Sequence, residues 1–167
     1  MVTAEGPFVE RPHADGVVTR TPGLTLMVRA ADCVPVLLVA PHERVAGAAH
    51  SGRQGLLAGV VPAVVDRMRE LGATRIEAFV GPHVCGRCYE VPATMREEVA
   101  AAVPETYAET SWGTPSLDLG AGVAAQLTSE GVSAVHLERC TREDPALHSY
   151  RRDGAASGRL AGLVWIA

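Results

Sequence analysis

Lysine is missing from this chain: all 15 basic side chains are arginine. Together with abundant Ala, Gly and Val, that absence points to a GC-rich genome before it points to a function. A surplus of positive charge is missing too. A formal net charge of −4, with 20% charged residues, gives no electrostatic case for a nucleic-acid partner. No apolar run approaches the ~20 residues a membrane-spanning helix needs, so no membrane partner is expected. Met1 to Arg11 carries Glu5, Pro7 and Glu10 and no apolar core of a signal peptide, which makes the cytoplasm the default expectation. Cysteine is scarce as well. Cys33, Cys85, Cys88 and Cys140 are too few for a disulfide scaffold at this size, and a reducing compartment keeps them as thiols. Cys85-Gly86-Arg87-Cys88 is half of a zinc ribbon with no second pair, and no thioredoxin-like strand–helix context surrounds it, so its plainer reading is structural.

What is present centres on Ala31 to Gly55. Val34 to Val39 is short, rich in β-branched residues and bounded by Pro41, which reads as a buried strand, and Val45 to Ala49 reads as a second. If Pro41-His42-Glu43-Arg44 turns the chain, the two pair as a hairpin and bring Cys33 beside His50. A thiol next to an imidazole can form a thiolate–imidazolium pair suited to nucleophilic catalysis. The same atoms are two of the ligands that zinc, or a softer copper ion, selects. Spacing leaves both readings open. Taken singly, a cysteine beside a strand is commonly a small buried hydrophobe, and a histidine after two alanines a satisfied core residue.

Residues 1–12 are polar and Pro-punctuated and read as a flexible segment. Residues 13–167 show no repeat and no linker and read as one mixed α/β domain. Val17-Val18-Thr19 and Leu24 to Arg29 are strands. Leu57, Val60, Val61, Val64, Val65, Met68 and Leu71 fall at helical spacing with Gly72 as the stop, and Pro62 requires that the regular helix begin close to it. Ile76 to Val80 is a strand, Pro92 to Val103 a helix, Glu105 to Ser116 irregular, and Leu117 to Glu130 a helix closed by Gly131. Val132 to Leu137 and Leu163 to Ile166 are the last strands. In the loop between them, Tyr150, Arg151 and Arg152 form a candidate grip for phosphate or a carboxylate. Pairing of the arginines with Asp153, pinning the loop to the domain, is the equal alternative.

Several motifs stand in one order: Ala14-Asp15-Gly16-Val17-Val18-Thr19, Ala31-Asp32-Cys33-Val34-Pro35-Val36-Leu37, His50-Ser51-Gly52, Gly81-Pro82, Tyr89-Glu90-Val91, Leu117-Asp118-Leu119, Cys140-Thr141 and Ser149-Tyr150-Arg151-Arg152-Asp153. Together they resemble the laccase-domain family, labelled multicopper polyphenol oxidases and also peptidoglycan editing factors. The resemblance implies a four-layer α/β/β/α sandwich with mixed sheets, similar to Cys–His toxin deamidases. It also implies a purine nucleoside phosphorylase that uses phosphate as co-substrate, with adenosine deaminase activity. It further implies a zinc ion held by one Cys and two His, of which Cys33 and His50 are the matching positions. The third ligand lies in the family's N-terminal third, which has no counterpart before His13, and His13 itself falls where the family has other residues. The family's Trp-Arg pair after the His-Ala-Gly opening is replaced by Arg53-Gln54. Two alternatives therefore stand beside the phosphorylase: a metal-free Cys–His hydrolase or deamidase, and an inert truncated homologue. The oxidase label fits worst, because six scattered His do not make paired copper motifs.

Overall fold

The computed structural model describes residues 1–10 and 12–167. Ten strands and five α-helices follow one another as β1 (Val2–Ala4), β2 (Gly16–Thr19), β3 (Leu26–Ala30), β4 (Val34–Ala40), β5 (Val45–Ser51), α1 (Arg53–Leu57), α2 (Val60–Glu70), β6 (Glu77–Val80), α3 (Ala93–Ala102), β7 (Tyr107–Glu109), β8 (Pro115–Leu117), α4 (Leu119–Ser129), β9 (Ser133–His136), α5 (Tyr150–Asp153) and β10 (Leu160–Val164). Six strands make one mixed sheet in the order β1-β2-β5-β4-β6-β9. Its two outer pairs are parallel and the inner ones antiparallel.

The β4–β5 hairpin forms the middle of this sheet, with Val34 opposite Ser51 and Ala40 opposite Val45. Both faces of β5 are covered, and its residues are small: Ala46, Gly47, Ala48 and Ala49 are all buried. On one face, Val18, Val36, Leu38 and Ala49 meet α2 and α4 through Val61, Val64, Met68, Val123 and Leu127. Pro62 is the third residue of α2, where its missing N–H would have had no intrahelical partner, so the helix is not interrupted. On the other face, Ala46 and Ala48 meet Leu26, Val28 and Val164 of a two-stranded antiparallel ladder, β3 with β10. The described elements thus stack as helices, mixed sheet and β ladder. That is a mixed α/β architecture.

Two stretches differ from their sequence reading. Val2–Ala4, inside the segment read as flexible, pairs parallel with β2. Ala4 is buried under the ladder, and the Thr19 hydroxyl donates to its carbonyl at 2.7 Å. The irregular stretch Glu105 to Ser116 holds the β7–β8 hairpin, closed by mutual bonding of Thr110 and Thr114.

Strand direction gathers several loop-bearing ends in one place. The starts of β2 and β4 and the ends of β5, β6 and β9 all lie at one edge, because Gly16 faces Ala49, Val34 faces Ser51, Val36 faces Val80 and Val80 faces His136. Among the described residues, no helix is long and apolar enough to cross a membrane.

Candidate active site and cysteine cluster

Cys33 sits one residue before β4 and His50 one residue before the end of β5, so the hairpin register makes them neighbours. Gly52 lies between them. A Cβ there would stand 3.0 Å from the Cys33 sulfur and 3.7 Å from the His50 ring, so only glycine leaves the pair room to meet. His50 Nδ1 is 3.0 Å from the Asp15 carboxylate, and its backbone N–H donates to the Asp15 carbonyl at 2.7 Å. The hydrogen bond to Cys33 and then the one to Asp15 outweigh partial burial and raise the imidazole to a pKa of about 9. The ring therefore carries its proton at neutral pH. Asp15 was present in the Ala14-Asp15-Gly16 motif, but its role depends on the β2–β5 pairing, which the sequence does not display.

Asp32, next to Cys33, is buried with φ at +79°, in the left-handed region that non-glycine residues seldom occupy. Its carboxylate accepts from the Thr141 hydroxyl at 2.7 Å and from the Arg151 N–H at 2.6 Å, and its carbonyl from the Val84 N–H at 3.0 Å. One side chain thus ties three loops to the Cys33 turn. The start of α5 is brought to the site in this way. Tyr150 is half exposed there. The Arg151 guanidinium lies 4.4 Å over the Tyr89 ring and donates to the Glu90 carbonyl. Arg152 is committed to the Asp153 carboxylate and to the carbonyls of Thr141, Arg142, Asp144 and Leu147, which fixes the loop. A cavity of about 690 Å³ opens beside Asp15 and His50, with Phe8, Met27, Val28 and Arg29 among its walls.

Zinc, the metal the resemblance implies for this place, would have two candidate ligands in Cys33 and His50, and the Asp15 carboxylate is engaged with the ring's Nδ1. A catalytic zinc is ordinarily held by three protein ligands, so the described residues alone do not fit it. Among those residues, four metal-ligating side chains do converge elsewhere. Cys85, Cys88, Cys140 and Glu143 have ligand atoms all within 4.8 Å of one another. Burial would raise the Cys140 thiol, but hydrogen bonding from the backbone around it, led by the Cys85 N–H that donates to its sulfur, brings it below the usual value. Burial and the neighbouring sulfurs push Cys88 well up. The Cys85–Cys88 spacing was visible in the sequence; that Cys140 and Glu143, more than fifty residues further on, join it was not.

A mixed sheet with Cys33 and His50 on its central hairpin and Asp15 just before β2, all at one edge, defines a mixed α/β protein with a candidate nucleophile- or metal-type site. The family model described as multi-copper polyphenol oxidoreductase laccase matches residues 1–167, and the chain belongs to that family. It is 56% identical over 171 residues to a purine nucleoside phosphorylase of Streptomyces coelicolor, covering 99% of this chain and 70% of that protein. An adenosine deaminase of an unknown prokaryotic organism is 34% identical over 87% of this chain and 59% of its own length. The crystal structure of NMB0706 from Neisseria meningitidis superposes with a TM-score of 0.81 at 31% identity, over 94% of this chain and 66% of that one. The chain thus spans roughly three fifths to seven tenths of the relatives it matches.

Proposed function

We propose that this chain carries the site of a purine nucleoside phosphorylase, in which phosphate cleaves the glycosidic bond of a nucleoside. The observation that carries the reading is the His50 ring set between the Asp15 carboxylate and the Cys33 sulfur at the loop-bearing edge of the sheet, an arrangement that favours the protonated imidazole. In this reading a phosphate oxygen attacks the anomeric carbon as the bond to the purine nitrogen breaks. His50 gives its proton to the departing base, and the proton of the incoming hydrogen phosphate restores it, so the products are the free base and the sugar 1-phosphate. Asp15 holds the ring and its charge. Tyr150 offers an exposed face for stacking and Arg151 a charge near the site, whereas Arg152 serves by fixing their loop.

Were a third ligand to complete a zinc site at Cys33 and His50, the metal would supply a Lewis acid for phosphate in place of the His50 proton, and copper is the less fitting ion for a reaction without electron transfer. No step is assigned to either, because the third ligand is not among the described residues. A cytoplasmic setting belongs to the same reading, since it keeps Cys33 reduced.

Incubating the chain with inosine and phosphate and following hypoxanthine tests it. Cys33→Ala and His50→Ala should each lower turnover by ~10²-fold or more. Full activity in both variants would remove the site from the reaction. One observation favours a second reading: Asp15 on the imidazole completes the nucleophile, base and orienting group of a metal-free Cys–His hydrolase or deamidase. Phosphate-independent conversion of adenosine to inosine, abolished by alkylating Cys33, would select it over phosphorolysis.

A further inference from the structure

Two loops face each other beyond the ends of β6 and β9. In the first, the N–H groups of Cys88 and Tyr89 both bond the Cys85 carbonyl, at 2.9 and 3.0 Å, which folds Cys85-Gly86-Arg87-Cys88 into a tight turn with both sulfurs on one side. Gly86 is pressed against Asp118, whose side chain a Cβ would meet at 2.8 Å, so the turn has no room for another residue. In the second, the Asp144 N–H bonds the Cys140 carbonyl at 3.0 Å, giving Cys140-Thr141-Arg142-Glu143 the same two-residue separation between ligands. A bridge between His83 and Cys140, with bonds from His83 N–H to the Arg139 carbonyl and from Thr141 N–H to the His83 carbonyl, locks one loop on the other.

We infer that Cys85, Cys88, Cys140 and Glu143 form a structural zinc site that staples these two loops together, apart from the Cys33–His50 pair and independent of the activity proposed above. Tetrahedral zinc with sulfur at about 2.3 Å requires ligand atoms roughly 3.7 Å apart. The four atoms already lie within 4.8 Å, and the Cys88 sulfur and a Glu143 oxygen are 3.5 Å apart. Binding displaces three thiol protons to solvent and leaves thiolates for the metal. The site is prepared for that charge: the Cys85 N–H points at the Cys140 sulfur from 3.4 Å, and Arg142 donates to the Cys88 carbonyl at 2.8 Å. Arg87 and Arg139 line the adjoining cavity of about 600 Å³. Three sulfurs select zinc over harder ions, and four protein ligands make it a closed, structural site. A disulfide would use two of the cysteines and give Glu143 no part.

The test uses the full chain, reduced and stripped with a chelator, then titrated with zinc alone. Alkylation followed by peptide mass spectrometry should show Cys85, Cys88 and Cys140 protected by about tenfold or more in rate, with Cys33 labelled as before. About one zinc per chain should remain in Cys33→Ala and be lost in Cys140→Ser. The inference is overturned if the three cysteines label equally with and without zinc, if the zinc instead follows Cys33, or if two of the three persist as a disulfide under reducing conditions. The labelling arm uses the unsubstituted chain, so a variant that fails to fold does not decide the outcome. Loss of phosphorolysis in Cys33→Ala with zinc retained keeps this result distinct from the fate of the active-site reading.

Discussion

His50 illustrates how a single side chain links folding to chemistry. Its pKa rises from 6.5 to about 9 through the bond to Cys33 first and to Asp15 second. A group protonated more tightly in the folded than in the unfolded chain stabilises the fold fully below about pH 6.5, and that stabilisation is lost as pH rises through about 9. With the side chain 35% exposed, solvent screening cuts the contribution to about 1–2 kcal/mol. Urea unfolding of the metal-free chain should therefore show a midpoint that falls between neutral pH and pH 9, and Asp15→Asn should shrink that fall. A flat profile in the unsubstituted chain would contradict the geometry. Asp32 is the other residue on which the site rests. Asp32→Ala strands the buried Thr141 hydroxyl and the Arg151 N–H and forces a side chain less suited to φ +79°, which should cost about 2–4 kcal/mol. Asp32→Asn keeps the turn and one acceptor and should cost less; the two chemical denaturation curves decide.

At the level of elements, α2 packs closely on β5. A Cβ on Gly47 would meet the Met68 sulfur and a Val64 methyl, both at 2.9 Å. Gly47→Ala should therefore cost about 1–3 kcal/mol by overpacking, and Gly47→Ala with Val64→Ala should cost less than the two changes added together, as a denaturation cycle would reveal. The same elements show what the sequence carries and what it does not. The β4–β5 hairpin was legible because its apolar runs and the Pro41 turn are local, and Cys33 and His50 followed from it. The helix through Met68 was legible from its period, and its start at Val60 meets the condition Pro62 set. Strand β10 begins at Leu160 rather than Leu163 because its bounds are set by pairing with Leu26–Ala30, over a hundred residues earlier. Strands β1, β7 and β8 are three residues each and exist only through their partners. Asp15, Cys140 and Glu143 were hidden for the same reason, since each acquires its role from a loop brought near by the sheet.

On the scale of the whole molecule, one edge of the mixed sheet gathers the candidate site groups: Asp15 before β2, Cys33 before β4, His50 in β5, and the two cysteine-bearing loops after β6 and β9. Asp32 and Thr141 join the two halves of that edge through a buried hydrogen bond. A metal that clamps the Cys85 and Cys140 loops would thus hold the frame on which Thr141 meets Asp32, and its binding would add to global stability. At a free zinc concentration a hundredfold above the dissociation constant, linkage gives about 2.7 kcal/mol. For a chain of this length each kcal/mol moves the midpoint by ~2–4 °C, so zinc should raise Tm by about 5–10 °C over the chelated protein. The rise should survive Cys33→Ala and vanish in Cys88→Ser, because the stabilising ligands are those of the loops. Scanning calorimetry of the three proteins with chelator and with zinc measures it, and a rise that disappears with Cys33 would place the stabilising metal at the hairpin instead.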